Sequence, residues 1–297
     1  MKSKIIFIFS MVLIFYCCPL KTFAEEKQDF CYTIINEEAS IIGFEGEPEY
    51  IVVPAEIEGV QVTEIRDNAF YECHTLKQII LPDSIKKIGH HCFYECSALE
   101  GIELPAYVSE IGMGCFSECS SLSYVIIPDS LEILPDSCFR NCNSLAAIII
   151  PQNITEIEKF CFSGCTSLSD VSLSGRITEI GDYAFFMCDS LKNLYIPESV
   201  QTFGTEAIGF TVNDTEHSIV RDFSVSGCKN SQAEKYAKEH SISFSGQAEA
   251  VQAFSLQNPD NAPIALPKIF VIAGVFFFII ACIIALRQHF KNPKRHR

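Results

Sequence analysis

Apolar and polar positions in the middle of the chain repeat with a step of 23 residues. Each phenylalanine of the pattern is followed three positions later by a cysteine and six positions later by a leucine, with mostly polar residues between. Six copies without an insertion predict a solenoid, because self-similarity at a period of roughly 20–50 residues is the signature of stacked repeats. The three series are Phe70, Phe93, Phe116, Phe139, Phe162 and Phe185; Cys73, Cys96, Cys119, Cys142, Cys165 and Cys188; and Leu76, Leu99, Leu122, Leu145, Leu168 and Leu191.

Within one copy, the alternation of apolar residues predicts one short strand. Leu76, Ile79 and Leu81 point inward, and the proline that follows ends the strand because it has no N–H for a ladder hydrogen bond. We expect residues 85–89 to cross on the opposite side and residues 93–96 to form a single helical turn. A lone copy has too few apolar positions to offset its loss of conformational entropy, so the copies must stack on each other.

The repeat is most regular from Ile180 to Val200, which begins Ile-Gly-Asp-Tyr-Ala-Phe-Phe-Met-Cys-Asp-Ser-Leu and ends Ile-Pro-Glu-Ser-Val. This pattern resembles the bacterial surface leucine-rich repeat family of the BspA type, over roughly residues 30–246. The resemblance implies a curved, right-handed solenoid used for binding, adhesion or recognition at the cell surface, without enzyme activity. Two copies depart from the pattern, at Ser174-Gly175-Arg176 and at Leu134-Pro135.

The predicted fold class is a mainly-β leucine-rich-repeat solenoid with one short parallel strand per 23-residue turn, capped at both ends, plus one transmembrane helix. The solenoid itself spans residues 62–210. Residues 25–61 are expected to form an N-terminal β cap and a degenerate first repeat. In this cap we predict a hairpin over residues 30–46, a strand at Tyr50–Val53, and a bulge near Glu56–Gly59.

Residues 211–246 are predicted to form the C-terminal cap. Its expected elements are a strand over Ser218–Val225, a helix over Ala233–Glu239 that starts at Asn230 or Ser231, and a final strand at Ile242–Phe244. The helical segment Ala-Glu-Lys-Tyr-Ala-Lys-Glu is similar to the ending of many domains of the same family.

The two ends of the chain predict export and membrane attachment. Residues 1–24 have a basic start, an apolar run and a small residue before Glu25, which is typical of a signal peptide. A lipoprotein signal at Cys17 or Cys18 is a weaker alternative, because bulky residues precede these cysteines. Residues 247–266 read as a flexible stalk, residues 267–286 as a transmembrane helix, and residues 287–297 as a basic cytoplasmic tail.

The membrane prediction rests on the uncharged run from Ile269 to Leu286, which is 18 residues long. At 1.5 Å per residue this run spans roughly 27 Å, close to the hydrocarbon thickness of a bilayer. Because positive residues stay on the cytoplasmic side, we expect a single-pass type I protein of the plasma membrane with its ectodomain outside the cell. A buried core helix is the alternative. The Leu-Pro at 266–267 lacks the Thr-Gly of a sortase signal.

The charge of the chain disfavours nucleic acid as a partner. All 37 acidic residues lie between Glu25 and Asp260, and only 13 basic residues lie in the same stretch. A negatively charged ectodomain repels phosphate, so we predict no nucleic-acid binding. A soluble, self-repelling surface is the simplest interpretation of the charge, and a cationic ligand is the alternative.

Fifteen cysteines occur in the chain, and ten of them occupy two fixed positions of the repeat. Ala184 takes the place of the cysteine that precedes the phenylalanine, so this position requires a small apolar group and the sequence predicts buried free thiols. Disulfides between neighbouring repeats are an alternative. A zinc site is a weaker one, formed by two cysteine pairs on adjacent repeats, Cys92, Cys96, Cys115 and Cys119.

No arrangement of residues predicts catalysis, a cofactor or a metal centre. His91 adjoins Cys92, but sequence neighbours rarely align a nucleophile with its base, and the cysteine belongs to the repeat. Hydrolase, zinc-protease, phosphate-binding-loop and dinucleotide motifs do not occur in the sequence. Asn153 and Asn213 lie in Asn-x-Thr sequences, which are glycosylation acceptors if the source is a eukaryote.

The candidate binding residues face solvent from predicted strands of the repeat, four of them in the third and fourth copies. Four of them form an apolar patch between Glu103 and Asp170, and a tyrosine lies farther along the same face. An apolar patch with a polar rim is typical of a recognition site, although β-branched residues also favour strands for their own sake. The candidates are Tyr124, Ile126, Ala147, Ile149 and Tyr195.

Taken together, these features predict a membrane-anchored surface protein that binds a protein or another surface macromolecule, in adhesion or host contact. A structural role, in which the solenoid assembles with its own kind or with another surface protein, is the second hypothesis. A cysteine-based metal or redox function is the third.

Overall fold

A computed structural model describes residues 30–246. They form a mainly-β, right-handed solenoid of about nine turns of about 23 residues. The six phenylalanines of the repeat are fully buried, and neighbouring rings stack with their centroids 5.1–5.5 Å apart. The periodicity therefore predicted the core correctly, since the ring of each repeat covers the ring of the repeat before it.

The first series of strands is the one that the alternation of apolar and polar residues predicts. Each strand precedes a proline or a similar stop, and neighbours pair in parallel and in register, as Tyr124 does with Gly101. Leu76, Ile79 and Leu81 are buried as expected. The strands are β3 (Tyr50–Val52), β6 (Gln78–Ile80), β8 (Gly101–Glu103), β10 (Tyr124–Ile126), β12 (Ala147–Ile149), β14 (Asp170–Ser172), β16 (Asn193–Ile196), β20 (Ser224–Gly227) and β21 (Ser243–Gly246).

A second series of strands lies on the opposite side, so the prediction of one strand per repeat was wrong. These strands also pair in parallel, for example Lys87 with Glu110. Most are two residues long, too short for alternation to be visible in the sequence. They are β5 (Val60–Ile65), β7 (Lys87–Ile88), β9 (Glu110–Ile111), β11 (Ile133–Leu134), β13 (Glu156–Ile157), β15 (Glu179–Ile180) and β17 (Thr202–Phe203).

The corner that carries the phenylalanines is built from tight turns and not from the helical turn that the spacing predicted. His91 and Glu95 adopt left-handed backbone with φ of 51° and 58°. The N–H groups of Phe93 and Glu95 donate across to the next repeat, at 2.8 and 2.9 Å. These cross-repeat bonds replace the i→i−4 bonds of a helix, and they tie each corner to its neighbour.

The N-terminal cap contains the predicted hairpin, formed by β1 (Phe30–Ile35) and β2 (Glu38–Phe44). Its turn residues Asn36 and Glu37 have φ of 54° and 62°, as a two-residue hairpin turn requires. The extra residues near Glu56–Gly59 form a second hairpin and not a bulge, because β4 (Glu56–Ile57) pairs antiparallel with β5.

The C-terminal cap differs from the prediction at its first element. Two strands replace the single strand expected over Ser218–Val225, because the segment reverses direction between them: β19 (Glu216–Ile219) pairs with β18 (Phe210–Asn213), and β20 joins the first series. The helix, α1 (Gln232–Glu239), and the final strand β21 confirm the prediction. Ser231 lies at the N-cap of α1, but its hydroxyl donates to Cys228 and does not cap the helix.

Several predicted segments lie outside the described residues: the signal peptide at 1–24, the stalk at 247–266, the transmembrane helix at 267–286 and the basic tail at 287–297. Within residues 30–246, no helix has the length and apolar character that crossing a membrane requires.

Candidate protein-binding surface

The outward side chains of the first strand series form one continuous surface, which we call the sheet face. It comprises the first and third residues of β3, β6, β8, β10, β12, β14 and β16. The middle residue of each strand, such as Ile102 or Ile148, points into the core. Neighbouring strands lie about 4.8 Å apart, so side chains at the same strand position form rows along the solenoid.

The structure brings four of the five candidate residues together on two adjacent repeats. Ile126 and Ile149 are 41% and 51% exposed. Tyr124 and Ala147 are half-buried beside them, at the first positions of the same strands. The apolar patch that the sequence predicts is therefore accessible at its third-position residues.

Tyr124 lies flat on the neighbouring repeat instead of projecting into solvent. A Cβ built on Gly101 would come within 2.0 Å of Cε1 of Tyr124, so the ring occupies the space that a side chain would need. Partial burial, followed by the nearby charges of Glu103 and Glu100, raises the pKa of its phenol. Alternation along the strand does not predict this contact, because the contact depends on which residue faces the tyrosine across the ladder.

The apolar surface extends beyond the predicted patch, on the N-terminal side of Glu103. Tyr50 and Val52 are 48% and 49% exposed, and Val52 is in register with the half-buried Ile80. Sequence reasoning missed these residues because their repeat is degenerate and was assigned only to the cap. The strand predicted at Tyr50–Val53 could have identified them, since alternation along it places residues 50 and 52 on one face.

Glu103 is the charged residue inside this apolar row. It is paired across the ladder with Ile126, and Ile80 occupies the same position on the preceding repeat. Its carboxylate has no hydrogen bond and no ion pair within the part of the chain that the structure describes. Partial desolvation, followed by the charge of Asp83, raises the pKa of Glu103.

Tyr195 is separated from the patch. It lies two repeats beyond Ile149, and Ser172 occupies the position between them. This end of the sheet face is polar: Asn193 donates to the Ser224 hydroxyl at 2.9 Å and accepts from Ser226 at 3.1 Å. The fifth candidate therefore belongs to a different, hydroxyl-rich surface.

The two asparagines of the acceptor sequences are both engaged by their side chains. Asn153 donates to the Asp129 carbonyl at 2.7 Å and accepts from Arg176 at 3.0 Å. Asn213, at the end of β18, donates to the Ser218 hydroxyl at 2.5 Å. A glycan on either residue would be attached to the nitrogen that donates this bond.

All twelve cysteines of the described residues are free thiols, and nine of them are buried. Disulfides between repeats, one of the alternatives above, are therefore absent from residues 30–246. The thiols of Cys96, Cys119, Cys142, Cys165 and Cys188 each donate to the carbonyl of the core phenylalanine of the preceding repeat, at 3.0–3.2 Å.

Nine of the cysteines in residues 30–246 are enclosed in the core of the solenoid. Within residues 30–246, no group of three or more His, Cys, Asp or Glu side chains is arranged to hold a metal ion. Burial raises the pKa of the Cys92 thiol well above 9.0. The adjacent His91 packs edge-on against Tyr94, with ring centroids 5.8 Å apart.

A shallow pocket beside the second strand series has mixed charges that are already paired. Arg66 lies 3.2 Å from Glu64, and Lys87 lies 2.7 Å from Glu110. Because these charged side chains pair with each other, the pocket has fewer unpaired charges for a ligand than the sheet face has.

Comparisons with known proteins agree with this architecture. A family model described as BspA type leucine rich repeat region matches residues 55–143 and 109–231, more than half of the chain. A crystal structure of a leucine-rich repeat protein from T. pallidum is similar, with a TM-score of 0.59 and 26% identity over 74% of this chain and 97% of that one.

A leucine-rich repeat protein from Eubacterium ventriosum has a TM-score of 0.51 and 21% identity, over 59% of this chain and 48% of that one, which shows the fold alone. No curated protein matches the sequence. The stacked 23-residue repeats and the family match lead to one conclusion: the chain belongs to the BspA-type leucine-rich repeat family.

Proposed function

We propose that this chain is a cell-surface protein that binds another protein through the sheet face, in adhesion to host or extracellular macromolecules. The observation that carries the proposal is the row of exposed apolar side chains at Val52, Ile126 and Ile149. Apolar surface of this kind, bordered by polar residues, is typical of protein interaction sites. Membership of a family of surface-type repeat proteins supports the same function.

The proposal includes attachment to the plasma membrane. Residues 1–24 direct export, residues 267–286 span the bilayer, and the basic residues that follow stay inside. The solenoid then faces the outside of the cell as a type I ectodomain. The protein performs no reaction and uses no cofactor.

The experiment compares the purified full chain, kept in mild detergent, with a double variant, Ile126→Glu and Ile149→Glu. Binding to an immobilised extracellular-matrix preparation is measured by surface plasmon resonance. Two charges placed in an apolar contact should weaken binding about tenfold or more, which corresponds to about 1.4 kcal/mol. The melting temperature should fall only slightly, because both side chains already face solvent and the new carboxylates repel only Glu103 and each other across the ladder.

Ile133→Glu is the matched control, since Ile133 is 42% exposed but lies in the second strand series. It should bind as the wild type does. Equal binding by the double variant and the wild type would contradict a role for the sheet face. Failure of the wild type to bind matrix proteins would contradict adhesion to matrix.

Self-assembly is a second candidate function, and the N-terminal cap favours it. Strand β1 carries no charged side chain, and among the described residues it pairs only with β2. Ile35 on this strand is 55% exposed. An uncharged edge strand is a template for pairing with a second copy. Light scattering of the full chain should then report a dimer that Ile35→Lys converts to a monomer.

A further inference from the structure

We propose that the sheet face takes a protein segment in which one lysine or arginine is flanked by apolar residues, with the basic side chain seated on Glu103. This inference rests on the proposed function and specifies the chemistry of the partner.

Glu103 lies at the centre of the apolar row. Val52 and Ile80 lie on one side of it, and Ile126 and Ile149 lie on the other. Four repeat steps of about 4.8 Å separate Val52 from Ile149, so the row is roughly 19 Å long with the carboxylate at its centre. An extended segment of about six residues covers that length at about 3.3 Å per residue.

The charged groups around Glu103 leave its negative charge unneutralised. Asp83 and Glu100 are both exposed nearby, so the carboxylates reinforce one another and none neutralises Glu103. Lys77 is the basic residue at this end of the row, and its ammonium lies 2.9 Å from Glu49. The site thus presents unpaired negative charge within apolar surface, and a cation from a partner is its chemical complement.

The apolar neighbours decide between a small cation and a protein segment. A polyamine or a metal ion would satisfy Glu103 but would leave Ile126 and Ile149 exposed to water. A segment with apolar residues on both sides of a basic one covers the carboxylate and the aliphatic side chains together. Burial of the aliphatic rows strengthens the ion pair, because it removes water from around the two charges.

The test is selection of a phage-displayed library of random 12-residue peptides on the immobilised full chain. We expect the enriched peptides to share a lysine or arginine flanked by apolar residues. Glu103→Gln should weaken their binding about tenfold, a loss of about 1.4 kcal/mol. Glu132→Gln is the matched control, since it removes the same charge from an exposed residue beside the second strand series, and it should change affinity less than twofold.

The pH dependence gives an independent readout. Because the pKa of Glu103 is raised, lowering the pH toward that value should protonate the carboxyl and weaken binding to the wild type. Asp83, Glu100 and the Tyr124 phenol are the other titratable groups at this site, and the tyrosine does not titrate in acid. The acid-induced loss should be smaller in Glu103→Gln.

The outcomes separate this inference from the proposed function. Peptides that lack a basic residue, or that bind Glu103→Gln as well as the wild type, overturn the inference. If those same peptides lose binding to Ile126→Glu, the sheet face remains the protein-binding surface. If they bind Ile126→Glu unchanged, or if no peptide is enriched, both proposals fail.

Discussion

Phenylalanine and cysteine have separate tasks in the core of each repeat. The phenylalanine rings stack along the solenoid, while the thiol three residues later donates to a backbone carbonyl of the stack. Cysteine suits this position because it is apolar enough for a core and still has a weak donor. The sequence predicted a small apolar group at the neighbouring cysteine position, but it did not predict the hydrogen bond.

Burial should divide the cysteines by reactivity toward iodoacetamide. In the native chain at pH 8 we expect alkylation at the half-buried Cys31 and Cys228, slower alkylation at Cys73, and none at the nine buried thiols. Burial raises the pKa of Cys73, so less of it is present as the reactive thiolate. Mass-spectrometric peptide mapping measures the labelled fraction at each site.

The control for this experiment is the same reaction in guanidinium chloride, in which every cysteine should be labelled. Rapid native labelling of Cys119 or Cys142 would contradict the buried position of these residues. Recovery of disulfide-linked peptides from residues 30–246 would contradict the free-thiol structure.

At the scale of the element, glycine after the second strand series allows the repeats to approach each other. A Cβ built on Gly112 would lie 2.3 Å from the backbone nitrogen of His90. Gly89, Gly181 and Gly204 meet the preceding repeat in the same way. None of these four has a positive φ, so close contact and not backbone freedom accounts for the glycine.

Gly112→Ala should therefore lower the free energy of unfolding by about 1–3 kcal/mol, because the added methyl group forces two repeats apart. Gly175→Ala is the matched control, since a Cβ there meets nothing within 4 Å, and it should change stability by less than about 0.5 kcal/mol. Chemical denaturation monitored by circular dichroism measures both. Equal stability of the two variants would show that the backbone relaxes freely.

The elements that the sequence predicted are those with a repeated apolar signal. Strand β6 and the phenylalanine stack were predicted correctly because burial imposes a fixed spacing on Leu76, Ile79 and Leu81 and on the rings. The second strand series was missed because pairs such as Lys87 and Ile88 are held by backbone hydrogen bonds, which leave little trace in side-chain identity. The position of Tyr124 over Gly101 was missed for a related reason, since it depends on a neighbour 23 residues away.

At the scale of the whole molecule, the raised pKa values of the repeated cysteines add up to a pH dependence of stability. Burial is the main cause that raises the pKa of eight core thiols: Cys92, Cys96, Cys119, Cys138, Cys142, Cys161, Cys165 and Cys188. In the unfolded chain each thiol titrates near its ordinary pKa of 9.0. The folded state therefore holds more protons than the unfolded state above that pH.

Titration of these thiols should therefore leave the free energy of unfolding unchanged below about pH 8. It should lower that free energy as the pH rises above about 9. The sign follows from linkage: unfolding releases protons in this range, so a higher pH favours the unfolded chain. Each thiol that stays protonated in the folded state contributes a loss of up to about 1.4 kcal/mol per pH unit. Denaturant unfolding between pH 7 and pH 10.5, under reducing conditions, measures the slope.

A triple variant isolates the contribution of the thiols from that of tyrosines and lysines. Alanine already occupies the same repeat position at residues 69, 184 and 207, so Cys92→Ala, Cys138→Ala and Cys161→Ala should fit the core. The variant retains every other ionisable group, and its alkaline slope should be smaller by up to about 4 kcal/mol per pH unit. An unchanged slope would mean that these thiols ionise in the folded solenoid, which requires water to reach the interior between the stacked repeats.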